Sequence, residues 1–160
     1  MRAPMWKIAV RKPFVGVIVL ACGEPVPVVL RTAQTLLDRS WPDDRLAVVV
    51  SDAASDTDLR DALAGGPVLY HVPEDDASPA GSALGVLHER FPHMAYVEVR
   101  DADDDPGPRD FFRHCVTQLE KSSWLPFTHA GGAGILWRDD ALEQLGGFPA
   151  LPPAPAAATA

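Results

Sequence analysis

Short runs of aliphatic and β-branched residues alternate with segments of helical spacing, and this alternation restricts the fold more than any other feature of the chain. Phe14–Ala21 (FVGVIVLA) is almost continuously apolar, the pattern of a strand buried on both faces. Pro25 and Pro27 open a segment in which Val28, Val29, Leu30, Ala33, Leu36 and Leu37 recur at helical spacing, closing near Ser40 and Pro42. Leu46–Val50 predicts a second buried strand. Ser55-Asp56 offers a cap for a helix over Thr57–Leu63, which Gly65-Gly66 ends. Val68–Val72, Ala80–Arg90 and Ala95–Arg100 predict strand, helix and strand. Pro108–Glu120 predicts a helix with proline in its first turn and an apolar stripe of Phe111, Phe112, Cys115, Val116 and Leu119. Gly134–Arg138 predicts a last core strand, and Asp139–Leu145 a short helix stopped by Gly146-Gly147.

Strands and helices in this order imply right-handed crossovers and an α/β fold, a mostly parallel sheet flanked by helices. The length, 160 residues, suits a single domain. Residues 14–148 carry the pattern. Residues 1–13 show no sustained period and are expected to be flexible, and residues 149–160 (ALPPAPAAATA after Pro149) form a Pro/Ala tail expected to be disordered. Parallel sheets bind ligands at the carboxyl ends of their strands. Polar residues gather at three such ends: Gly23-Glu24, Ser51-Asp52 and Asp101–Asp105.

Composition excludes several classes. Lys and Arg number 14 against 22 Asp and Glu, a net charge of −8, so binding of a phosphate backbone by a basic face is disfavoured and no nucleic-acid partner is expected. Two cysteines, Cys22 and Cys115, are too few and too far apart for a disulfide framework or a Cys-based zinc site. Reduced thiols fit the cytoplasm. The run Phe14–Cys22 is nine residues long and contains Gly16, short of the roughly 20 needed for a transmembrane segment. Arg2, Lys7, Arg11 and Lys12 precede it in the manner of a signal peptide, but Glu24, Pro25 and Pro27 follow with no small-residue cleavage site. Neither a dinucleotide fingerprint, a phosphate-binding G-x-x-x-x-G-K-[ST] loop nor a G-x-S-x-G elbow occurs. The five histidines lack metal-like spacing, and His114-Cys115 takes core or surface roles on its helix. Arg (11) exceeds Lys (3) in a chain rich in Ala and Pro, a composition of GC-rich bacterial genomes.

The densest chemistry lies in Arg100-Asp101-Ala102-Asp103-Asp104-Asp105. Residues two apart in an extended segment point the same way, so Asp101 and Asp103 share a side while Ala102 faces the core. Like charges so close need either full solvation, as in an acidic turn before a helix, or a cation; oxygen-only donors suit Mg²⁺ or Mn²⁺. Asp52 stands where a buried strand opens, placed either to accept hydrogen bonds from a base or ribose or simply to finish the strand. Asp56 reads as an N-cap.

Together these segments resemble the family-2 glycosyltransferases of the GT-A fold, including the cellulose-synthase-like branch. Val17–Pro25 is similar to that family's opening strand and "P-A-Y-N-E" turn, with Leu20, Cys22 and Gly23 departing. Val49–Asp56 resembles "V-V-D-D-G-S-x-D", keeping the second and last aspartates, and Val99–Pro106 resembles the "D-A-D" metal motif with its trailing proline. Gly134–Arg138, Ala141-Leu142 and Gly146–Pro149 resemble the acceptor-side "G-…-R-x-x-A-L-…-G-G-F". The resemblance implies that Asp52 holds the nucleoside with Glu24 near it. Asp101 and Asp103 then face the diphosphate, Asp103 being the better metal ligand with Mn²⁺ or Mg²⁺. It implies inverting transfer from a nucleotide sugar to a small-molecule or glycan acceptor.

The departures bear on activity. The acidic pair expected after "G-G-F" is replaced by Pro149-Ala150-Leu151-Pro152-Pro153, "Q-x-x-R-W" is absent, and Pro79–Leu84 lacks the Lys and Asn of "K-A-G-x-L-N". The span between Asp105 and Gly131 is shorter than usual, so the chain reads as a shortened form. No residue stands out as the general base; Asp139, Asp140 or a group from a partner chain would have to serve. A non-catalytic descendant, acting as nucleotide-sugar binder, accessory subunit or scaffold, is the alternative. Shortening also exposes a candidate apolar patch of Trp124, Leu125, Phe127 and Trp137 for a homodimer or partner protein to cover, although Trp137 reads first as core.

Overall fold

β1 (Phe14–Ala21) and β4 (Met94–Asp101) lie side by side and parallel at the middle of a six-stranded sheet. The computed structural model describes residues 11–121, 127–128 and 135–148, the pair 127–128 by its backbone. From β1 the sheet continues through β2 (Leu46–Asp52) to β3 (Leu69–His71), all parallel. On the other side β6 (Ile135–Arg138) runs antiparallel to β4, and β5 (Phe127–Thr128) antiparallel to β6. The expected single α/β domain with a mostly parallel sheet is therefore present, with an antiparallel edge. β5, two residues long, has no period to read and was not anticipated.

The helices divide between the two faces by the side chains they offer. α1 (Val26–Leu37), α2 (Thr57–Leu63) and α4 (Phe111–Lys121) bury Val29, Leu36, Leu59, Phe112 and Leu119 against Val15, Val17, Val19, Val48 and Val50. α3 (Pro79–Arg90) and α5 (Asp139–Leu145) bury Leu84, Leu87 and Leu142 against Phe14, Ile18, Val49 and Val97. Strand residues alternate between these layers, which is why the strands read as continuous apolar runs.

Local signals explain the boundaries. The Asp56 carboxylate accepts the N–H of Asp58 (2.8 Å) and Leu59 (3.3 Å), capping α2 as expected, and Ser78 caps α3, which begins at Pro79, one residue before the expected Ala80. Gly146 closes α5 with φ +79°, which a residue with a Cβ resists. α4 begins at Phe111 rather than Pro108. The intervening turn is held elsewhere: the Arg109 carbonyl accepts the Ser40 N–H (2.8 Å), and Arg109 Nε donates to the Asp38 carbonyl (3.2 Å).

Trp137 is core, 6% exposed and edge-on to Phe148. Trp124, Leu125 and the side chain of Phe127 lie outside the described residues, as do residues 1–10 and the tail from 149. Among the described residues no helix is long and apolar enough to cross a membrane.

The strand order positions the site. Connections leave β1 toward β2 and β3 on one side, and the chain then crosses to β4 on the other. The crevice beyond the carboxyl ends of β1 and β4 is the switch point where open α/β sheets take ligands.

Candidate functional site

Parallel pairing brings three strand ends to one rim. Asp52 is in register with Ala21, and Asp101 with Leu20, so β2 and β4 deliver their aspartates on either side of β1, about 10 Å apart at two strand spacings. The Ala53 N–H continues the ladder to the Ala21 carbonyl (2.9 Å), and that of Ala102 to Leu20 (2.8 Å).

At the end of β1 the chain turns through Gly23 at φ +91°. The resembled motif has Asn here; Gly and Asn are the residues that best tolerate positive φ, so this departure keeps the turn. Glu24, half-buried, accepts the Cys22 N–H through Oε2 (2.6 Å).

Asp52 is 1% exposed, and its own loop already engages it. Oδ1 accepts the Ala54 N–H (3.1 Å), while Oδ2 accepts the Asp56 N–H (2.7 Å) and the Tyr70 hydroxyl (2.8 Å). Three of about four acceptor positions are thus taken. Asp52 finishes β2 at the rim. Burial, followed by the hydrogen bond and charge of Asp52, pushes the Tyr70 phenol up to about 12.

Beyond β4, Asp101, Asp103 and Asp104 each offer a carboxylate oxygen within 4.8 Å of the others. Ala102 between them is fully buried, as the alternation predicts. The Asp104 N–H donates to the Asp101 carbonyl (3.2 Å), and the Asp101 N–H to Asp104 Oδ2 (3.0 Å), folding the segment into a tight turn. Desolvation, then the charges of Asp104, Asp103 and Glu24, raise the Asp101 carboxyl above its ordinary value. The residue as a whole is exposed, so the like charges are the part that a cation would relieve. Oxygens facing each other across Mg²⁺ stand about 4.2 Å apart, so the spacing of this donor set is compatible with a hard divalent ion. A cleft of about 250 Å³ opens beside the cluster, between Arg31 and Thr35 of α1 and residues 103–106.

The loop rests on a buried ionic network that sequence reasoning missed. Glu98 is 0% exposed, Arg100 2% and Arg39 3%. Arg39 Nη1 donates to Glu98 Oε2 (2.5 Å), and Arg100 donates through Nε (2.6 Å) and Nη2 to Glu98 Oε1. The guanidinium of Arg39 also lies 4.4 Å and 4.5 Å from the ring centroids of Phe111 and Phe112. Burial lowers its pKa, against the pull of Glu98. A signal was available: Glu98 and Arg100 are two apart on one face of an otherwise apolar strand, the spacing of a paired charge. Nothing local pointed to Arg39, 59 residues away.

Asp139 and Asp140 are not brought to this rim. β6 pairs Arg138 with Tyr96, so both aspartates lie where β4 begins, about 16 Å along the strand from Asp101. There His88 Nε2 and Asp139 are 2.7 Å apart, and Arg138 Nη2 donates to Asp140 (2.6 Å), holding the Asp140 carboxyl below its usual range.

No family model matches the chain. Glucomannan 4-beta-mannosyltransferase 1 of Oryza sativa subsp. japonica is 30% identical over 102 residues, covering 57% of this chain and 19% of that protein. The mannosyltransferase PcManGT from Pyrobaculum calidifontis, solved with GDP-Man and Mn²⁺, superposes with TM-score 0.68 at 20% identity, over 88% of this chain and 48% of that one. S. aureus TarS 1–349 with UDP-GlcNAc gives 0.56 at 14% identity, over 85% and 48%. The chain thus spans about a fifth of the length of the rice protein and about half of each solved structure. What these likenesses share with it is the fold, a GT-A-like arrangement related to that of nucleotide-sugar transferases.

Proposed function

We propose that the rim binds a nucleoside-diphosphate sugar together with Mn²⁺ or Mg²⁺, and that the chain transfers the sugar, with inversion, to a small-molecule or glycan acceptor. One observation carries this reading: three carboxylates, two of them exposed, crowd together at the switch point of the sheet, on the same edge as Asp52. Asp103 is the leading ligand, supported by Asp101 and Asp104. Held by these carboxylates, a divalent ion would supply positive charge opposite the departing diphosphate. Asp52 keeps the 52–56 turn in place on the nucleoside side, with one acceptor position left for the donor, and Glu24 borders Asp101. The mannosyltransferases among the relatives make GDP-mannose the first donor to try.

Thermal denaturation with GDP, UDP, GDP-mannose and UDP-GlcNAc, each with and without Mn²⁺, tests the donor site. A nucleotide at 100 times its Kd stabilises by about 2.7 kcal/mol. Wild type is expected to show a Mn²⁺-dependent rise in Tm with at least one of these, and Asp103→Ala none. No shift with any nucleotide would overturn the reading.

The placement of Asp139 and Asp140 leaves the transferase reading to a base from a partner chain, and favours a second reading, a non-catalytic nucleotide-sugar binder serving as accessory subunit or scaffold. Donor binding without transfer to any acceptor, measured with labelled nucleotide sugars, would select it.

A further inference from the structure

We propose that Arg39, Glu98, Arg100 and Thr32 form a positioning device that fixes the backbone of the 101–106 loop from beneath, leaving its carboxylates outward and ready for a cation. The inference rests on the cation-binding reading of that loop and extends it to residues that touch neither cation nor donor.

Three carbonyls of the loop each meet a side-chain donor from the core side. The Thr32 hydroxyl donates to the Ala102 carbonyl (2.7 Å), Arg100 Nη1 to that of Asp105 (2.9 Å) and Arg39 Nη2 to that of Pro106. Thr32 belongs to α1, Arg39 follows that helix and Arg100 is the penultimate residue of β4, so two elements far apart in the chain clamp one turn. With its carbonyls drawn inward, the turn presents Asp101 and Asp103 to solvent. Electrostatics also hold the loop. Two guanidiniums against the single carboxylate of Glu98 leave net positive charge under a loop that carries Asp101, Asp103, Asp104 and Asp105, and low-dielectric surroundings strengthen that attraction. The same positive charge opposes a cation, so a fall in Mn²⁺ affinity on removing the arginines reads lost positioning and not lost charge.

Stability alone gives a poor account of the network. A buried ion triad is often matched or surpassed by apolar side chains of similar volume. Such side chains would fill the space between α1, α4 and β4 but could not hold the loop carbonyls. Glu98 joins the two arginines and fixes their forks, and the Phe111 and Phe112 rings support Arg39.

The test compares wild type with Thr32→Val, Arg100→Lys and the apolar triple variant Arg39→Met/Glu98→Leu/Arg100→Met. Amide hydrogen exchange of the metal-free protein reads the order of the loop, and Mn²⁺ titration followed by EPR reads its affinity. In variants that unfold cooperatively near the wild-type midpoint, exchange over 101–107 is expected to quicken and Mn²⁺ affinity to fall by about 10- to 100-fold. Arg100→Lys, which keeps the charge but loses the fork, is expected between the triple variant and wild type. A folded triple variant with unchanged loop exchange and Mn²⁺ affinity would overturn the proposal. If the triple variant does not fold, Thr32→Val, nearly isosteric, decides by the same two readouts. If wild type takes up no Mn²⁺, the cation-binding reading fails; exchange then decides the anchoring alone, quickened exchange supporting it and unchanged exchange overturning it.

Discussion

Asp52 and Tyr70 show how far a single side chain departs from what its type suggests. The chain contains two tyrosines, Tyr70 and Tyr96, and both phenols are raised above their ordinary value of 10, chiefly by burial. For Tyr70 the hydrogen bond to Asp52 is the next cause. Because the folded pKa exceeds the unfolded one, the stabilisation is fully present below about pH 10 and is lost as pH rises toward 12. Ultraviolet titration of the phenolate band is expected to show Tyr70 un-ionised at pH 10 and well under half of the tyrosine ionised in the folded protein, with one transition at about 12. Asp52→Asn should bring one of the two transitions down. A wild type already half ionised at pH 10 would mean that the pair does not form. The aspartates themselves were legible, since carboxylates after buried strands stand out in the sequence. The groups that hold their loops were not: Tyr70, bonded to Asp52, comes from another strand and Thr32, bonded to the Ala102 carbonyl, from a helix, and each reads as unremarkable in its own segment.

The elements follow local rules closely, because capping, proline placement and the two-residue strand period act over a few neighbours. Where an element differs from expectation, a contact from outside its own segment is found, as at Arg109, which bonds to Asp38 and Ser40 just past α1 while α4 begins at Phe111. Gly16 gives a second example, inside β1. A Cβ built there would meet Leu87 Cδ1 at 2.9 Å and, closer still, Met94 Sδ, so the absent side chain lets α3 and the start of β4 approach the strand. Gly16→Ala is expected to cost about 1–3 kcal/mol, read as a lowered urea midpoint with unchanged slope. An unchanged midpoint would mean that Leu87 and Met94 give way freely. From the sequence alone Gly16 was merely an interruption in an apolar run.

For the whole molecule, the sheet is shared by two apolar layers, and neither is complete without it. Leu36 in one layer and Leu87 in the other are both fully buried. Leu36→Ala and Leu87→Ala are each expected to destabilise by about 2–5 kcal/mol, with circular dichroism and tryptophan fluorescence tracing one superimposed transition. Separate transitions would show the layers folding independently. At this scale the division between chain and fold is plain. The succession of elements, the parallel sheet and the existence of an acidic rim were determined by the sequence itself, since each depends on hydrophobic period and on polar residues following buried runs. Tertiary structure decided the rest: that Asp52 is engaged by its own loop, that Asp139 and Asp140 stand at the far end of β4, and that Arg39 reaches Glu98 beneath the aspartates. These outcomes depend on strand direction, register and contacts across the sheet. Burial and distance are properties of the closed chain, and no local pattern of residues encodes them.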